Sequence, residues 1–355
     1  MTAIESLAAG GFGNCLVELS ILAKPPQLLS SSNMPQESLS VSRRTAFLAG
    51  VAGTAAWLAG SPMLAETASA PAKKQRIRFG VSTYSFWQFR DGEPPSIESC
   101  IDRAAEMGFD GVEILHVQMG EDQSNARLQK LKQQAFRHGL DLCGFSTHQS
   151  FVKLDPAERQ KNIDHTIRCI ELAYALGIPT IRVNTGRWGT TKDFDELMKN
   201  KGIEDRLPGI TDDEGFQWVI DSLQKCLPKA EECGVVLGLE NHWGLGRDAV
   251  GVLRVIDAIK SPWLRATLDT GNFLENQYEQ YAQLAPHAVL IQAKTYHGGG
   301  KWYTLEIDYP RVAKILRDAN YSGYVSLEME GQADPAVAVP QSLRDLRAAF
   351  EVALS

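Results

Sequence analysis

A closed (β/α)8 barrel of the α/β class is the fold predicted for residues 76–355, and three observations predict it. Short apolar runs alternate with helical stretches eight times, a pattern that calls for a parallel sheet covered by helices. The roughly 280 residues of this region are close to the ~250 that such a barrel uses. A doubly wound open sheet would carry a GxGxxG turn after its first strand, whereas here that strand ends in Ser82-Thr83-Tyr84-Ser85.

The strands are predicted at 77–84 (IRFGVSTY), 111–115 (GVEIL), 140–147 (LDLCGFST), 180–185 (TIRVNT), 234–241 (GVVLGLEN), 264–269 (LRATLD), 288–294 (AVLIQAK) and 323–330 (GYVSLEME). Between them, stretches such as 97–108 (IESCIDRAAEMG) and 162–177 (NIDHTIRCIELAYALG) repeat apolar residues at three- and four-residue spacing, which is the helical period. Residues 186–210 are longer than a strand-to-helix loop requires and are expected to form part of a lid or rim over the barrel mouth.

Residues 1–75 read as a leader rather than as part of the fold. Arg43-Arg44 precede an uncharged, Ala- and Gly-rich stretch at 45–65, and Ala68-Ser69-Ala70 offers a small-residue cleavage site. Together they predict twin-arginine export to the periplasm, with translation starting at Met34 and no stable membrane insertion after processing. Without Cys15 in that leader, Cys100, Cys143, Cys169, Cys226 and Cys233 remain, an odd number with no CxxC pair. This argues against a disulfide framework or a structural zinc knuckle, and Cys226 and Cys233 read as core packing.

With 36 Lys+Arg against 43 Asp+Glu the formal charge is -7, so no basic stripe is available for nucleic acid. The composition, 44% hydrophobic and 22% charged, excludes disordered and fibrous classes and leaves a small molecule as the expected partner. The sequence leaves the oligomeric state open.

Alternation along each strand assigns side chains to the barrel interior or to the helices. At 234–242 the apolar Val235, Leu237 and Leu239 would face helices, leaving Gly238, Glu240 and His242 inside. By the same parity Arg265, Thr267 and Asp269, Gln292 and Lys294, and Ser326, Glu328 and Glu330 would face inward. Four successive strands thus aim ionisable and amide groups at one volume, which is costly to bury without compensation. A divalent cation shared by Glu240, Asp269 and Glu328 would offset that cost. Oxygen donors suit Mg2+ or Mn2+, and an imidazole would extend the range to Zn2+ or Co2+.

The segments GFDGVEI (108–114), GLENHWG (238–244), LDTGNF (268–273) and GYVSLEMEG (323–331) resemble the xylose isomerase-like TIM-barrel family of sugar isomerases and epimerases. The resemblance runs from about residue 77 to the C-terminus. It implies one divalent metal bound through Glu240 on strand 5, Asp269 on strand 6, a strand-7 residue and Glu328 on strand 8. Glu330 is the same-parity rival on that last strand. Where the family reads His-x-Lys on strand 7, this chain has Gln292-Ala293-Lys294, so Gln292 is expected as a weak oxygen ligand or as a donor to a sugar hydroxyl. The resemblance also implies that Glu240 and Glu328 act as paired acid and base beside a carbonyl, through an enediolate.

His148, His242, Lys294 and Trp243 are the candidates for contact with substrate. Trp87 is a weaker one, and Glu113 is expected to pair with Arg182. His116, His138, His165, His287 and Arg265 read as structural or surface residues. The function expected is a metal-dependent sugar or keto-sugar isomerase or epimerase. A keto-glycoside lyase shares its first proton abstraction, and a non-catalytic carbohydrate-binding barrel is the reading from another class.

Overall fold

The computed structural model describes residues 76–354; the expected leader and export signal lie outside the described residues. Eight parallel strands close into a barrel in sequence order: β1 (Ile77–Ser82), β2 (Gly111–Leu115), β3 (Asp141–Ser146), β4 (Thr180–Val183), β5 (Val236–Glu240), β6 (Leu264–Asp269), β7 (Ala288–Thr295) and β8 (Gly323–Met329). The predicted fold is the observed one, and β1 closes the circle against β8 from Ile77↔Gly323 to Val81↔Leu327.

The helices outside the barrel are α1 (Ile97–Met107), α2 (Asn125–Arg137), α3 (Pro156–Leu176), α4 (Phe194–Lys199), α5 (Asp212–Cys233), α6 (Ala249–Ile259), α7 (Gln277–Leu284), α8 (Tyr309–Asp318) and α9 (Pro335–Leu354). Local sequence explains their starts. Ser96, Asp155 and Asp248 accept backbone N–H bonds at the first turns of α1, α3 and α6, and Thr211 with Glu214 forms a capping box on α5. The main core lies between strands and helices. Outward residues such as Val81, Ile114, Phe145, Leu239, Leu268 and Ile291 are fully buried there. Among the described residues no helix is long and apolar enough to cross a membrane.

Two bulges alter the predicted inside–outside assignment. The β2–β3 register slips between Val112 and Glu113, where Val112 faces Leu142 and Glu113 faces Gly144, and β6–β7 slips between Ala266 and Thr267, where Ala266 faces Ala288 and Thr267 faces Leu290. Cys143 and Val289 are the extra residues. Cys143, expected outside, turns in to join Leu290 and Tyr324, with Val289 against them, and these residues fill the barrel floor. Leu142, expected inside, packs in the outer core. Beyond each bulge the predicted parity holds, so Ser146, Gln292 and Lys294 are directed inward above the floor.

Candidate active site

The charged side chains gather at the C-terminal ends of the strands, the end where barrels of this kind carry chemistry. Register sets their levels: Glu240 lies beside Thr267, Asp269 beside Gln292, Gln292 beside Ser326, and Lys294 beside Glu328. Close packing makes room for them. A Cβ on Gly238 would come 2.3 Å from Thr267 Oγ1, and one on Gly271 would come 2.2 Å from Lys294 Cδ.

Lys294 is the hub of one side. Its Nζ lies 3.6 Å from Asp269, 3.3 Å from Glu330 and 4.0 Å from Glu328, and it donates to Asn272 Oδ1 at 3.2 Å. Burial alone would favour the neutral amine, but Asp269, Glu330 and Glu328 outweigh it and raise the ammonium's pKa well above the usual lysine value. Tyr84, at the end of the first predicted strand, donates to Glu330 at 3.1 Å.

Arg182 is the hub of the other side. It lies 3.3 Å from Glu240, and its second terminal nitrogen donates to the Thr147 carbonyl at 3.0 Å and lies 3.1 Å from His148 Nε2. Asn184 donates to Glu240 at 3.0 Å and Asn272 does so at 3.4 Å, so Asn272 ties the two hubs together. The expected Glu113–Arg182 pair is therefore corrected. Glu113 instead accepts from Gln292 at 2.7 Å and from the Ser146 hydroxyl, while Arg182 reaches up to Glu240. Glu113 sits a layer lower, nearer the floor, which explains the choice.

Five buried carboxylates, Glu113, Glu240, Asp269, Glu328 and Glu330, face two buried cations, Arg182 and Lys294. The excess negative charge is visible in the protonation equilibria. Burial, reinforced by Glu328 and Glu113 and opposed by Arg182 and Lys294, pushes the Glu240 carboxyl up to about 7. Burial likewise raises Asp269 and Glu330 against the opposing pull of Lys294. His148 and His242 are held neutral, first by burial and then by the nearby Arg182.

The donor chemistry of the residues present, buried carboxylate and amide oxygens, suits a hard divalent cation. Asp269 Oδ2, Glu328 Oε2 and Gln292 Oε1 are buried and accept no hydrogen bond, although each such atom is costly to leave so. Gln292 donates from its amide nitrogen to Glu113 and Ser146 at 2.7 and 3.2 Å, which leaves its oxygen without a hydrogen bond and open to coordinate a cation. Among the described residues Glu240, Asp269 and Glu328 do not form a group whose ligand atoms all lie within 4.8 Å of one another, and the Lys294 ammonium lies 3.6 Å from Asp269 and 4.0 Å from Glu328.

The remaining candidates divide. His148 and His242 border the charged cluster through Arg182. Trp243, expected to stack on substrate, is only 5% exposed and packs with Leu197 and Met198 of α4, fastening the 186–210 segment at the rim. Trp87 donates its indole N–H to Gln118 at 3.1 Å. Asn184, Asn272 and Tyr84 were not anticipated. Asn184 continues the inward line of Arg182 and Asn272 lies within LDTGN, so both carried a readable signal.

A cleft of about 940 Å3 at the opposite end, lined by Arg76, Arg78, Phe79, Asp110 and Arg347, holds none of these groups.

Comparison with known proteins agrees with this architecture. Over 228 residues the chain is 29% identical to 3-oxo-isoapionate decarboxylase of Pectobacterium atrosepticum, covering 62% of this chain and 69% of that protein. The fold is shared with 3-keto-D-glucoside 4-epimerase of E. coli, at a TM-score of 0.59 and 21% identity over 78% of this chain and 100% of that one. It is also shared with an L-ribulose 3-epimerase, at a TM-score of 0.63 and 16% identity over 78% of this chain and 95% of that one. The profile of the xylose isomerase-like TIM barrel matches residues 101–349, and the chain belongs to that family.

Proposed function

We propose that the chain is a divalent-metal-dependent isomerase or epimerase that acts on a sugar or keto-sugar by moving a proton at the carbon beside a carbonyl. The observation that carries this reading is the placement of the buried Glu240 and Glu328 at the C-terminal ends of β5 and β8, each with its own cationic neighbour. A substrate carbon between them would present one face to each carboxylate. Glu240, with its pKa raised to about 7, is matched to taking and returning a proton near neutrality. Arg182, Asn184 and Asn272 fix its orientation. Lys294 supplies positive charge on the opposite side, where an oxyanion would be stabilised.

Asp269, Glu328, Glu240 and Gln292 are the residues that would hold the cation, and when bound it would polarise the carbonyl and lower the cost of the enediolate. The absence of imidazole in this set favours Mg2+ or Mn2+. Gln292→His is expected to tighten binding of Co2+ or Zn2+ measured by calorimetry. Unchanged affinity would remove Gln292 from the metal's ligands and leave it as a donor to substrate.

The 29% identity to a decarboxylase of a 3-oxo compound supports a second reading, in which the same stabilised enolate follows loss of a carboxyl or glycosidic leaving group. Incubation with keto-sugars in deuterated water distinguishes them. Label entering recovered sugar and its epimer supports the first reading, release of carbon dioxide or of an aglycone supports the second, and sugar that binds without any exchange points to a silent binding barrel. We further propose that residues 1–75 deliver the barrel to the periplasm; N-terminal sequencing of the exported protein tests this.

A further inference from the structure

By sequence alone His116 and His165 read as structural or surface residues, Cys169 is one of five cysteines with no CxxC pair, and that lack of a pair argues against a structural zinc knuckle. The fold brings these three together outside the barrel. His116 begins the single turn His116–Met119 that follows β2, while His165 and Cys169 lie four apart on α3 and so share one helix face. Their ligand atoms all lie within 4.8 Å of one another, and among the described residues no other such group of three forms.

The details point to a ligand. Cys169 Sγ is 3.6 Å from His165 Nε2. In a tetrahedral zinc site with Zn–N of about 2.0 Å and Zn–S of about 2.3 Å, the N-to-S edge is about 3.5 Å, so this pair already has the spacing of two ligands. The rings of His116 and His165 meet at 5.0 Å, and Phe145 closes the inner side of His116 at 5.6 Å. Among the described residues the imidazole of His165 finds only the Cys169 sulfur as a polar partner, and His116 finds only the Gln123 amide, at 3.5 Å.

We propose that His116, His165 and Cys169 form a binding site for a borderline-to-soft divalent cation, of which Zn2+ is the type, separate from the oxygen-lined barrel mouth. On binding, the thiol gives its proton to solvent, one metal–sulfur and two metal–nitrogen bonds form, and water completes the tetrahedron. Such a site would clip the end of β2 to α3.

The experiment uses Co2+ added to the whole chain after chelator treatment. One equivalent is expected to give an intense thiolate-to-cobalt charge-transfer absorption, which an all-oxygen site cannot produce. Zn2+ is expected to abolish the absorption and to raise the melting temperature by a few degrees. Cys169→Ser should lose the absorption entirely, and His116→Gln should weaken Co2+ binding at least tenfold, with far-ultraviolet circular dichroism confirming that both variants are folded. Absence of the band in the wild-type chain, or its persistence in Cys169→Ser, overturns the proposal. A band lost in Cys169→Ser but unaffected by His116→Gln would overturn the three-residue site.

Discussion

The two ends of the barrel use charge in opposite ways. At the floor, Arg78 and Asp141 pair at 2.5 Å with about half of each side chain in water, on the outer side of a plug of Cys143, Leu290 and Tyr324. At the mouth, Arg182, Lys294 and five carboxylates are almost wholly withdrawn from water. Exposed pairs contribute about 0–1 kcal/mol, whereas breaking a buried pair costs about 3–5 kcal/mol. The floor is thus tolerant and holds its shape by apolar packing. The mouth holds an excess of buried negative charge, five carboxylates against two cations.

The largest effect expected from breaking this contrast is on chemistry. Glu240→Gln and Glu328→Gln should each lower solvent proton exchange by about 10²–10⁴-fold, since an amide cannot serve as the base. Urea unfolding should show Glu328→Gln at least as stable as the parent, because it removes a buried negative charge from an excess, whereas Glu240→Gln leaves the buried Arg182 without its carboxylate and should lose up to about 3 kcal/mol. Near-parental exchange would remove the residue from catalysis.

Lys294→Met should instead destabilise the fold by about 3–5 kcal/mol at pH 7, leaving Asp269, Glu328 and Glu330 without their ammonium. At pH 5 the loss should shrink, as Asp269 and Glu330, whose pKa values burial already raises, take up protons. An equal loss at both pH values would make the lysine a packing residue.

The pH dependence sharpens the same point. The Glu240 carboxyl is pushed up from 4.5 to about 7, so the base form appears, and kcat/KM should rise, as pH passes through about 7. For stability the sign is the reverse. Between about 4.5 and 7 the folded chain keeps a proton that the unfolded chain has released, so this group's contribution falls with rising pH and levels off above about 7. Saturating Mg2+ should shift both limbs to lower pH, which potentiometry and pH-dependent melting would register.

The smallest effect belongs to the floor. Arg78→Ala should change unfolding stability by no more than about 1 kcal/mol and leave exchange unaltered. A larger loss would mean that its guanidinium, 4.3 Å over the Tyr324 ring, matters to the plug.

The contrast also marks what the sequence could disclose. Parity along β5 and β8 correctly directed Glu240, Glu328 and Glu330 inward, because neither strand is interrupted. On β3 and β7 it failed below the bulges, since Cys143 and Val289 are ordinary apolar residues that nothing in the sequence marks as extra. Parity also cannot choose among inward partners. Glu113 and Glu240 were both open to Arg182, and only their different depths in the barrel decide between them. The His116, His165 and Cys169 group was hidden for a similar reason. Four-residue spacing on one helix was visible, but the third member comes from a distant turn.

The seam between β1 and β8 has a kinetic consequence. Tyr84 reaches Glu330 across 246 residues of chain, and the neighbouring Ser85 bonds the backbone at Leu327 and Met329 across the same seam. Contacts this remote are entropically the most expensive to form, so they arise late in folding. Glu328 and Glu330 stand beside that seam. A chain whose first seven strands are already helix-covered would show near-native circular dichroism and yet lack the carboxylates on its last strand, so recovery of activity during refolding is expected to lag behind recovery of secondary structure.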